Sequence, residues 1–354
     1  MIAVALSGGV DSSFAAHLLR QEGKELFGIF ARLSQPDPER EIARVQKICD
    51  LLKIPLKIVD LKKPFEERIV SYFKEQYRRG LTPNPCIICN REIKFGLLLE
   101  KARELGASRL ATGHYVRLRF NKRNSCYELL KGRDRDKDQS YFLALLNQQQ
   151  LSRALFPLGE WKKEEVIRES VKLGLFNLTS PESQEVCFIQ GDYRRLFAGE
   201  DFPPGEIVTV DGRVVGRHQG LFAYTIGQRR GLGIRLGKPY YVVALDRERN
   251  RLIVGPKRYL KRKDLRVGGV HFVCPAYRRE SFEALVRIRY RHKEAPASIK
   301  LLSPSEAQIS FKSPQEAVTP GQFAVFYEED LVLGGGEILP SPPEGLIENL
   351  KTPI

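Results

Sequence analysis

A short loop near the start of the chain carries residue types that can bind phosphate. Leu-Ser-Gly-Gly-Val-Asp-Ser-Ser, residues 6–13, follows the apolar run Ile2–Leu6 and opens a helical pattern. Consecutive backbone N–H groups and the helix N-terminus would face one point there, which favours an anion. The hydroxyls of Ser7, Ser12 and Ser13 can donate further hydrogen bonds, and the Asp11 carboxylate can hold Mg²⁺. The Walker A ending Gly-Lys-Ser/Thr is missing. The loop predicts ATP binding, and a plain glycine turn is the alternative interpretation.

Three cysteines lie outside the apolar elements in which structural cysteines usually sit. Cys86 and Cys89 belong to Thr-Pro-Asn-Pro-Cys-Ile-Ile-Cys, directly before a helical pattern, and Cys187 ends Ser-Gln-Glu-Val-Cys in a loop-like segment. Cys49, by contrast, falls within a helical pattern. We expect a helix to begin near Cys89, where its free N–H groups and dipole would stabilise a thiolate. The three are candidate catalytic or metal-binding residues, with structural roles as the alternative.

The elements that must position these residues alternate in the first half of the chain. Strand-like runs precede helical patterns at Ser13–Gln21, Glu39–Leu52, Phe65–Arg78 and Arg91–Leu105. The runs are Ile2–Leu6, Leu26–Phe30, Leu56–Val59 and Leu110–Thr112. Such alternation predicts βαβ units and a parallel sheet, with ligands at the carboxyl ends of the strands.

After about Phe197 the pattern becomes β-rich. Asp211-Gly212 between apolar runs is a strong hairpin signal. From about Val267 onward, further short runs predict a second, larger β unit that forms a barrel. The expected fold class is α/β, with an N-terminal Rossmann-like parallel-sheet domain followed by two β-rich units. We expect domains at residues 1–199, 200–266 and 267–354.

Charge and composition restrict the partners. The chain has 58 Lys+Arg against 43 Asp+Glu, a formal charge of +15, which favours a polyanion such as nucleic acid; a solvated basic surface is the alternative. The basic stretch Arg247–Arg266 is either a solvated linker or a contact to an RNA backbone. No run of eighteen apolar residues or signal peptide is present, so we expect a cytoplasmic chain without a membrane partner. Its six cysteines do not suggest a disulfide framework.

Ordered sequence blocks make one family resemblance specific. The blocks are SGGVDS, NPxxxCNxxIKF, ATGHY, KDQSYFL, SQxxCFI, a PGxIV…YTIGQRRGLGI region and TPGQ. They resemble, in the same order and over nearly the whole chain, the tRNA-specific 2-thiouridylases (MnmA/TrmU family). That family belongs to the ATP pyrophosphatase, or PP-loop, superfamily, whose domain is adenine nucleotide alpha hydrolase-like. Its members split ATP between the α- and β-phosphates and adenylate a substrate oxygen.

The resemblance implies functional residues. The implied ATP site consists of Ala5, Leu6, Ser7, Gly8, Gly9, Val10, Asp11, Ser12, Ala31 and Gly113. Cys89 matches the family's catalytic cysteine, and Cys187 matches the cysteine that receives sulfur as a persulfide. The positions implied to face the target base or contact tRNA are Asn84, Pro85, Cys86, His114, Lys137, Asp138, Gln139, Arg289, Tyr290 and Gln322.

One position departs from the family. Many members have an aspartate, with an acid–base or base-positioning role, where this chain has Cys86. The change creates Cys86-x-x-Cys89 with Cys187 as a third thiol, which resembles the ligand set of iron–sulfur-dependent tRNA thiolation enzymes. A [4Fe–4S] cluster, a persulfide and disulfide route, and a zinc site are therefore all open.

The resemblance implies a reaction. Sulfur would replace the C2 oxygen of wobble uridine 34 in tRNA after ATP adenylates that oxygen, and the base would be turned out of its stack. The sulfur would come from a cysteine desulfurase, a sulfur-relay protein or free sulfide. The rival interpretations are an adenylating enzyme for another tRNA position or a small metabolite, and an RNA-binding protein without catalytic activity.

Overall fold

The computed structural model describes residues 1–180, 186–189 and 191–340. Part of the expected loop around Cys187 therefore lies outside the described residues. The same is true of the end of the expected C-terminal domain, residues 267–354. Within the described residues, no helix is both long and apolar enough to cross a bilayer.

The first 180 residues alternate strands and helices. The strands are β1 (Ile2–Ala5), β2 (Leu26–Arg32), β3 (Leu56–Asp60), β4 (Arg109–Ala111), β5 (Val116–Asn121), β6 (Cys126–Lys131) and β7 (Ala154–Leu155). The helices are α1 (Val10–Gln21), α2 (Pro38–Leu52), α3 (Lys62–Phe65), α4 (Ser71–Arg78), α5 (Pro85–Cys89), α6 (Leu99–Glu104), α7 (Ser140–Leu143), α8 (Gln148–Leu151) and α9 (Lys163–Lys172). Two π-helical segments, Glu66–Val70 and Asn90–Leu98, join α3 to α4 and α5 to α6.

Five strands form the predicted parallel sheet, in the order β3-β2-β1-β4-β7. Ala3 and Val4 of β1 are fully buried, as expected for a central strand covered on both faces. The phosphate loop leaves the carboxyl end of β1 and enters α1, at the edge where ligands of such sheets bind.

The helix that carries Cys86 and Cys89 begins earlier than the sequence predicts. It starts at Pro85, where a proline needs no N–H partner, and the Asn84 side chain accepts a hydrogen bond from the Ile87 N–H. Cys86 is thus in the first turn, and Cys89 lies at the end of α5. The π-helical segment that follows shifts the helical period, and the backbone kinks at Gly96. The start at Pro85 has its own local signal, an Asn N-cap followed by proline, which the prediction of a start near Cys89 overlooked.

The central β-rich unit is a four-stranded sheet. Its strands are β8 (Gly205–Thr209), β9 (Val214–His218), β10 (Tyr241–Asp246) and β11 (Arg251–Gly255), in the order β10-β11-β8-β9. The turn at Asp211-Gly212 joins β8 and β9 as an antiparallel pair, which confirms the predicted hairpin.

The second β-rich unit is a closed six-stranded barrel, as predicted. Its strands are β12 (Lys261–Phe272), β13 (Ser281–Arg287), β14 (Ala295–Leu301), β15 (Glu306–Glu316), β16 (Phe323–Glu328) and β17 (Leu331–Ile338). They follow the order β12-β15-β14-β13-β16-β17, and pairing of β12 with β17 closes the ring. The basic stretch Arg247–Arg266 is not a linker, because it includes β11 and the first half of β12.

An unpredicted hairpin connects the N-terminal unit to the barrel. Strands β5 and β6 extend the barrel sheet, because Leu130 pairs with Leu331 of β17. Arg117 forms an ion pair with Asp330 at 2.6 Å, and the Lys131 ammonium contacts Glu294 at 2.6 Å. The largest apolar core is continuous across this junction. It contains Ile87, Cys89 and Tyr141 from the N-terminal unit and Phe323, Val325, Tyr327 and Val332 from the barrel.

A disulfide at the same junction was not expected from the sequence. Cys126 of β6 is bonded to Cys274, just after β12, and the two cysteines are 148 positions apart in the chain. No local pattern indicates this pairing, because only the attachment of the hairpin to the barrel brings the two cysteines together.

We expect the Cys126→Ser/Cys274→Ser double variant to lower the free energy of unfolding by about 2–4 kcal/mol, since the bond closes a long loop in the unfolded chain. Urea unfolding in the absence of reductant measures this. The exposed Cys187→Ser variant is the control, and it should unfold like the wild type. Identical unfolding of the wild type with and without a reductant would mean that the two thiols are not paired.

Candidate active site

The phosphate loop is shaped by close backbone packing. Gly8 has a φ of +77°, a conformation that favours glycine. Gly113, beyond the carboxyl end of β4, lies so near the loop that an added Cβ would stand 2.7 Å from the Ser12 nitrogen and the Asp11 carbonyl carbon. The predicted ATP residues 5–12 and Gly113 are therefore together. Ala31 lies near the carboxyl end of the neighbouring strand β2, at the same sheet edge.

The serine hydroxyls of the loop divide into two groups. Ser12 and Ser13 donate to the Gly9 carbonyl at 3.1 and 2.9 Å, and both residues are buried. They stabilise the turn into α1. Ser7 is exposed, with its hydroxyl 3.2 Å from that of Ser12. Ser7 and the backbone N–H groups of the loop can therefore face a phosphate.

Asp11 is held by two residues that the sequence analysis missed. The Lys163 ammonium, from the first residue of α9, lies 2.7 and 2.8 Å from the two carboxylate oxygens. The Tyr115 hydroxyl donates to one of them at 2.7 Å. Tyr115 ends the ATGHY block and could have been suspected from it, whereas nothing in the pattern around Lys163 suggested this contact.

Cys86 and Cys89 are thiols rather than thiolates at neutral pH. Burial raises the pKa of Cys86 to about 11 and that of Cys89 to about 12. This differs from the expected stabilisation of a Cys89 thiolate, because Cys89 is only 8% exposed and stands at the end of α5 rather than at its N-terminus. Cys187 is an exposed residue, although desolvation of its thiol also raises the pKa of that group.

Lys94 provides positive charge near all three thiols and was also missed. Its charge lowers the pKa of Cys86, Cys89 and Cys187, against the effect of burial. Lys94 follows Cys89 by five residues on the π-helical segment, in which residues four to five apart share one face. The local helix type thus brings an ammonium to the cysteine side.

His114 is buried and neutral. Its Nδ1 lies 2.8 Å from the Thr112 hydroxyl, and its ring contacts those of Phe95 and Phe156. Burial lowers its pKa well below the usual value, and the charge of Lys94 adds to this effect.

No metal-ligand group is formed by the described residues. Cys86, Cys89 and Cys187 are all free of disulfides, and nowhere in residues 1–180, 186–189 and 191–340 do three His, Cys, Asp or Glu side chains converge as ligands for an ion.

The residues predicted to contact tRNA lie on both sides of the junction with the barrel. Tyr290 packs on Phe142 with ring centroids 4.4 Å apart, and its neighbour Arg289 is exposed. Lys137 is half-buried on the loop that enters α7. These three offer an aromatic ring and two cations near the barrel strands β13 and β14.

Asp138 and Gln139 have contacts within the protein. The buried Asp138 carboxylate accepts hydrogen bonds from the N–H groups of Gly132 and Ser140, the Ser140 hydroxyl and, at 3.2 Å, the Arg287 guanidinium. The Gln139 side-chain oxygen accepts from the Tyr115 N–H at 3.0 Å. Both residues fix the shape of the loop on which Lys137 is presented.

Gln322 lies against the cysteine-bearing segment. Its Nε2 donates to the Thr82 carbonyl at 2.9 Å and to the Pro83 carbonyl at 3.3 Å. Asn84, Pro85 and Cys86 follow immediately, so the barrel contacts the predicted base-facing triplet from its N-terminal side.

Comparisons with known proteins agree along the whole chain. Residues 1–191 match the family described as the tRNA methyl transferase HUP domain, residues 198–256 its PRC-barrel domain, and residues 262–338 an aminomethyltransferase beta-barrel domain. The tRNA-specific 2-thiouridylase MnmA of Syntrophomonas wolfei is 44% identical over 95% of this chain and 99% of its own length. Those of Trichlorobacter lovleyi and Roseiflexus castenholzii are 46% and 43% identical, over 95% of this chain and 97% and 98% of their own lengths. The chain belongs to the family of tRNA-specific 2-thiouridylases.

Proposed function

We propose that this enzyme uses ATP to replace the C2 oxygen of a tRNA uridine, the wobble uridine 34, with sulfur. The observation that carries the proposal is similarity at 42–46% identity to tRNA-specific 2-thiouridylases over nearly the full length, together with a phosphate loop after β1 and two thiols on α5. Incorporation of labelled sulfur into tRNA that requires ATP tests it. An adenylating enzyme for a small metabolite would leave tRNA unlabelled.

The first step activates a poor leaving group. The uridine C2 oxygen attacks the α-phosphorus of ATP, and pyrophosphate departs. Ser7 and the loop N–H groups oppose the negative charge that develops on the phosphates. We propose that Asp11 holds Mg²⁺, since a carboxylate oxygen is a preferred ligand of that ion and the Asp11 side chain is 25% exposed. Mg²⁺ would supply further countercharge, and Lys163 and Tyr115 orient the carboxylate.

The second step transfers sulfur. We propose that Cys187 carries it as a persulfide. The Cys89 thiolate attacks the Cys187 sulfur, hydrosulfide leaves, and a Cys89–Cys187 disulfide forms. Hydrosulfide then attacks C2, and AMP departs with the original oxygen. A thiol reductant must supply two electrons to restore both cysteines. Lys94 favours the Cys89 thiolate that this route needs.

A [4Fe–4S] cluster on Cys86, Cys89 and Cys187 remains a prediction. The described cysteines do not converge as a ligand group, so they do not fit a cluster in this conformation, and we derive no step through one. Zinc fits no better for the same reason.

The remaining assignments extend the proposal. In the persulfide route the sulfur donor is a cysteine desulfurase or a sulfur-relay protein, which passes persulfide sulfur to Cys187. Free sulfide, the other predicted donor, would attack the adenylated C2 directly without loading Cys187. The enzyme is cytoplasmic, where tRNA is modified. The domain limits 1–199, 200–266 and 267–354 stay predictions, although β12, the first barrel strand, begins at Lys261 within the second of these ranges. We propose that RNA is bound mainly by the last domain.

The phosphate loop can be tested through Asp11. Asp11→Ala should lower tRNA-dependent pyrophosphate release by at least about 100-fold, because it removes the proposed ligand of Mg²⁺ and with it the countercharge of that ion where negative charge develops. Circular dichroism should stay unchanged. Asp50→Ala, an exposed residue near the end of α2, is the matched control and should behave as wild type. Near-normal turnover in Asp11→Ala would mean that the loop is only a turn.

The cysteines distinguish the two sulfur routes. If the persulfide route operates, Cys89→Ala and Cys187→Ala should lose thiolation, whereas Cys86→Asp, which restores the residue of many relatives, should remain active and free of iron. Labelled sulfur in tRNA and iron analysis after anaerobic purification measure this. The control is Cys49→Ala, a buried cysteine of α2. A Cys86→Asp protein that loses both iron and activity would support the cluster instead.

The proposed tRNA-binding surface can be tested at Arg289, the exposed residue that precedes Tyr290. Arg289→Ala should reduce the slope of log affinity for tRNA against log salt by about 1, as expected for one lost phosphate contact. Arg279→Ala removes an equally exposed charge from the loop between β12 and β13 and serves as control. Equal slopes for wild type and Arg289→Ala would exclude a phosphate contact at this position.

A further inference from the structure

The segment before α5 cannot provide hydrogen-bond donors for its own backbone carbonyl groups. Pro83 and Pro85 have no N–H, and each proline keeps the residue before it out of the helical region. The segment from Thr82 to Asn84 is therefore extended, and its carbonyls need donors from elsewhere in the protein. Those donors come from the barrel.

The turn Thr319–Gln322 supplies them. Besides the two hydrogen bonds from Gln322, the Thr82 N–H donates to the Pro320 carbonyl at 2.9 Å. Gly321 has a φ of +89°, and an added Cβ there would lie 3.0 Å from the Thr82 nitrogen. The two backbones therefore approach as closely as a residue without a side chain permits.

The turn itself is firmly anchored. The Gln322 N–H donates to the Thr319 carbonyl at 3.2 Å, and the Gln322 carbonyl accepts from the Ile338 N–H at 2.7 Å. The Gly321 N–H donates to the Ile338 carbonyl at 3.0 Å. Because its backbone is fixed to the end of β17, Gln322 can hold the segment in one place.

The central unit meets the same point. The Thr82 hydroxyl lies 3.3 Å from that of Thr225, and an added Cβ on Gly227 would stand 3.0 Å from the Ala317 side chain. All three parts of the chain thus contact one another around the residues that precede Asn84, the N-cap of α5.

We infer that Gln322 is a positioning residue, which holds segment 82–84 so that α5 presents Cys86 and Cys89 in the geometry that sulfur transfer requires. The barrel then completes the active site before any RNA binds. This role differs from direct contact of Gln322 with tRNA. The inference rests on the proposed function only for the role of the two cysteines in sulfur transfer. The position of α5 itself can be measured without turnover.

Gln322→Glu tests the inference, because it keeps the length of the side chain, removes its donor and places a carboxylate against two carbonyl oxygens. The enzyme is reduced, freed of reductant and treated with iodoacetamide, without ATP or tRNA, and each cysteine is quantified by mass spectrometry. We expect alkylation of the buried Cys89 to become at least about threefold faster through local opening. Cys49, fully buried in α2, should keep its wild-type rate.

Kinetics supply the second readout. For Gln322→Glu and Gln322→Ala, kcat for thiolation should fall about 10- to 100-fold, as expected for misplaced reacting groups, with KM for tRNA within about twofold. Gln308→Glu, an exposed position on β15, is the matched control and should resemble wild type in both assays.

Two results would overturn the inference. An unchanged Cys89 rate together with weaker tRNA binding would make Gln322 a direct RNA contact. An equal rise at Cys49 and Cys89 would indicate general loosening rather than local positioning. If the wild type did not thiolate tRNA, the proposed function would fail, while the alkylation result would still decide the role of Gln322.

Discussion

The attachment of Tyr141 to barrel strand β16 is the contact on which the active site depends. Tyr141 is fully buried, its hydroxyl donates to the Phe323 carbonyl at 3.0 Å, and the Phe323 N–H donates back to that hydroxyl at 3.3 Å. A buried hydroxyl that lost these partners would leave three polar groups unsatisfied in an apolar core. The N-terminal unit and the barrel therefore share one interior rather than meeting at a separable surface.

This shared interior explains why the thiols are protonated. Cys89 belongs to the same core as Tyr141 and Phe323, so the packing that fixes the helix also removes water from the sulfur. Burial favours the uncharged form, and Lys94 opposes it only in part. In the proposed persulfide route, Cys89 must therefore lose its proton before it attacks the Cys187 sulfur. A buried, protonated thiol is also less susceptible to oxidation than an exposed thiolate.

Local patterns were sufficient for part of this architecture. The alternation of strands and helices, the phosphate loop and the Asp211-Gly212 turn depend on neighbouring residues, and the sequence predicts them correctly. The start of α5 was missed although it has a local signal, since the prediction placed the start near Cys89 and overlooked the N-cap Asn84 followed by Pro85. The role of Lys163 beside Asp11 and the pairing of Cys126 with Cys274 depend on contacts between residues about 150 positions apart, for which one sequence holds no local signal.

The hairpin β5–β6 has a consequence for synthesis of the chain. Its partner strand β17 is made about 200 residues later, since Leu130 pairs with Leu331. At a translation rate of about 5–20 residues per second, the open side of β6 stays unpaired for roughly 10–40 seconds on the ribosome. An unpaired strand with apolar residues invites pairing with another chain. The nascent chain therefore passes through a period in which β6 and the apolar side chains that later pack on the barrel are exposed.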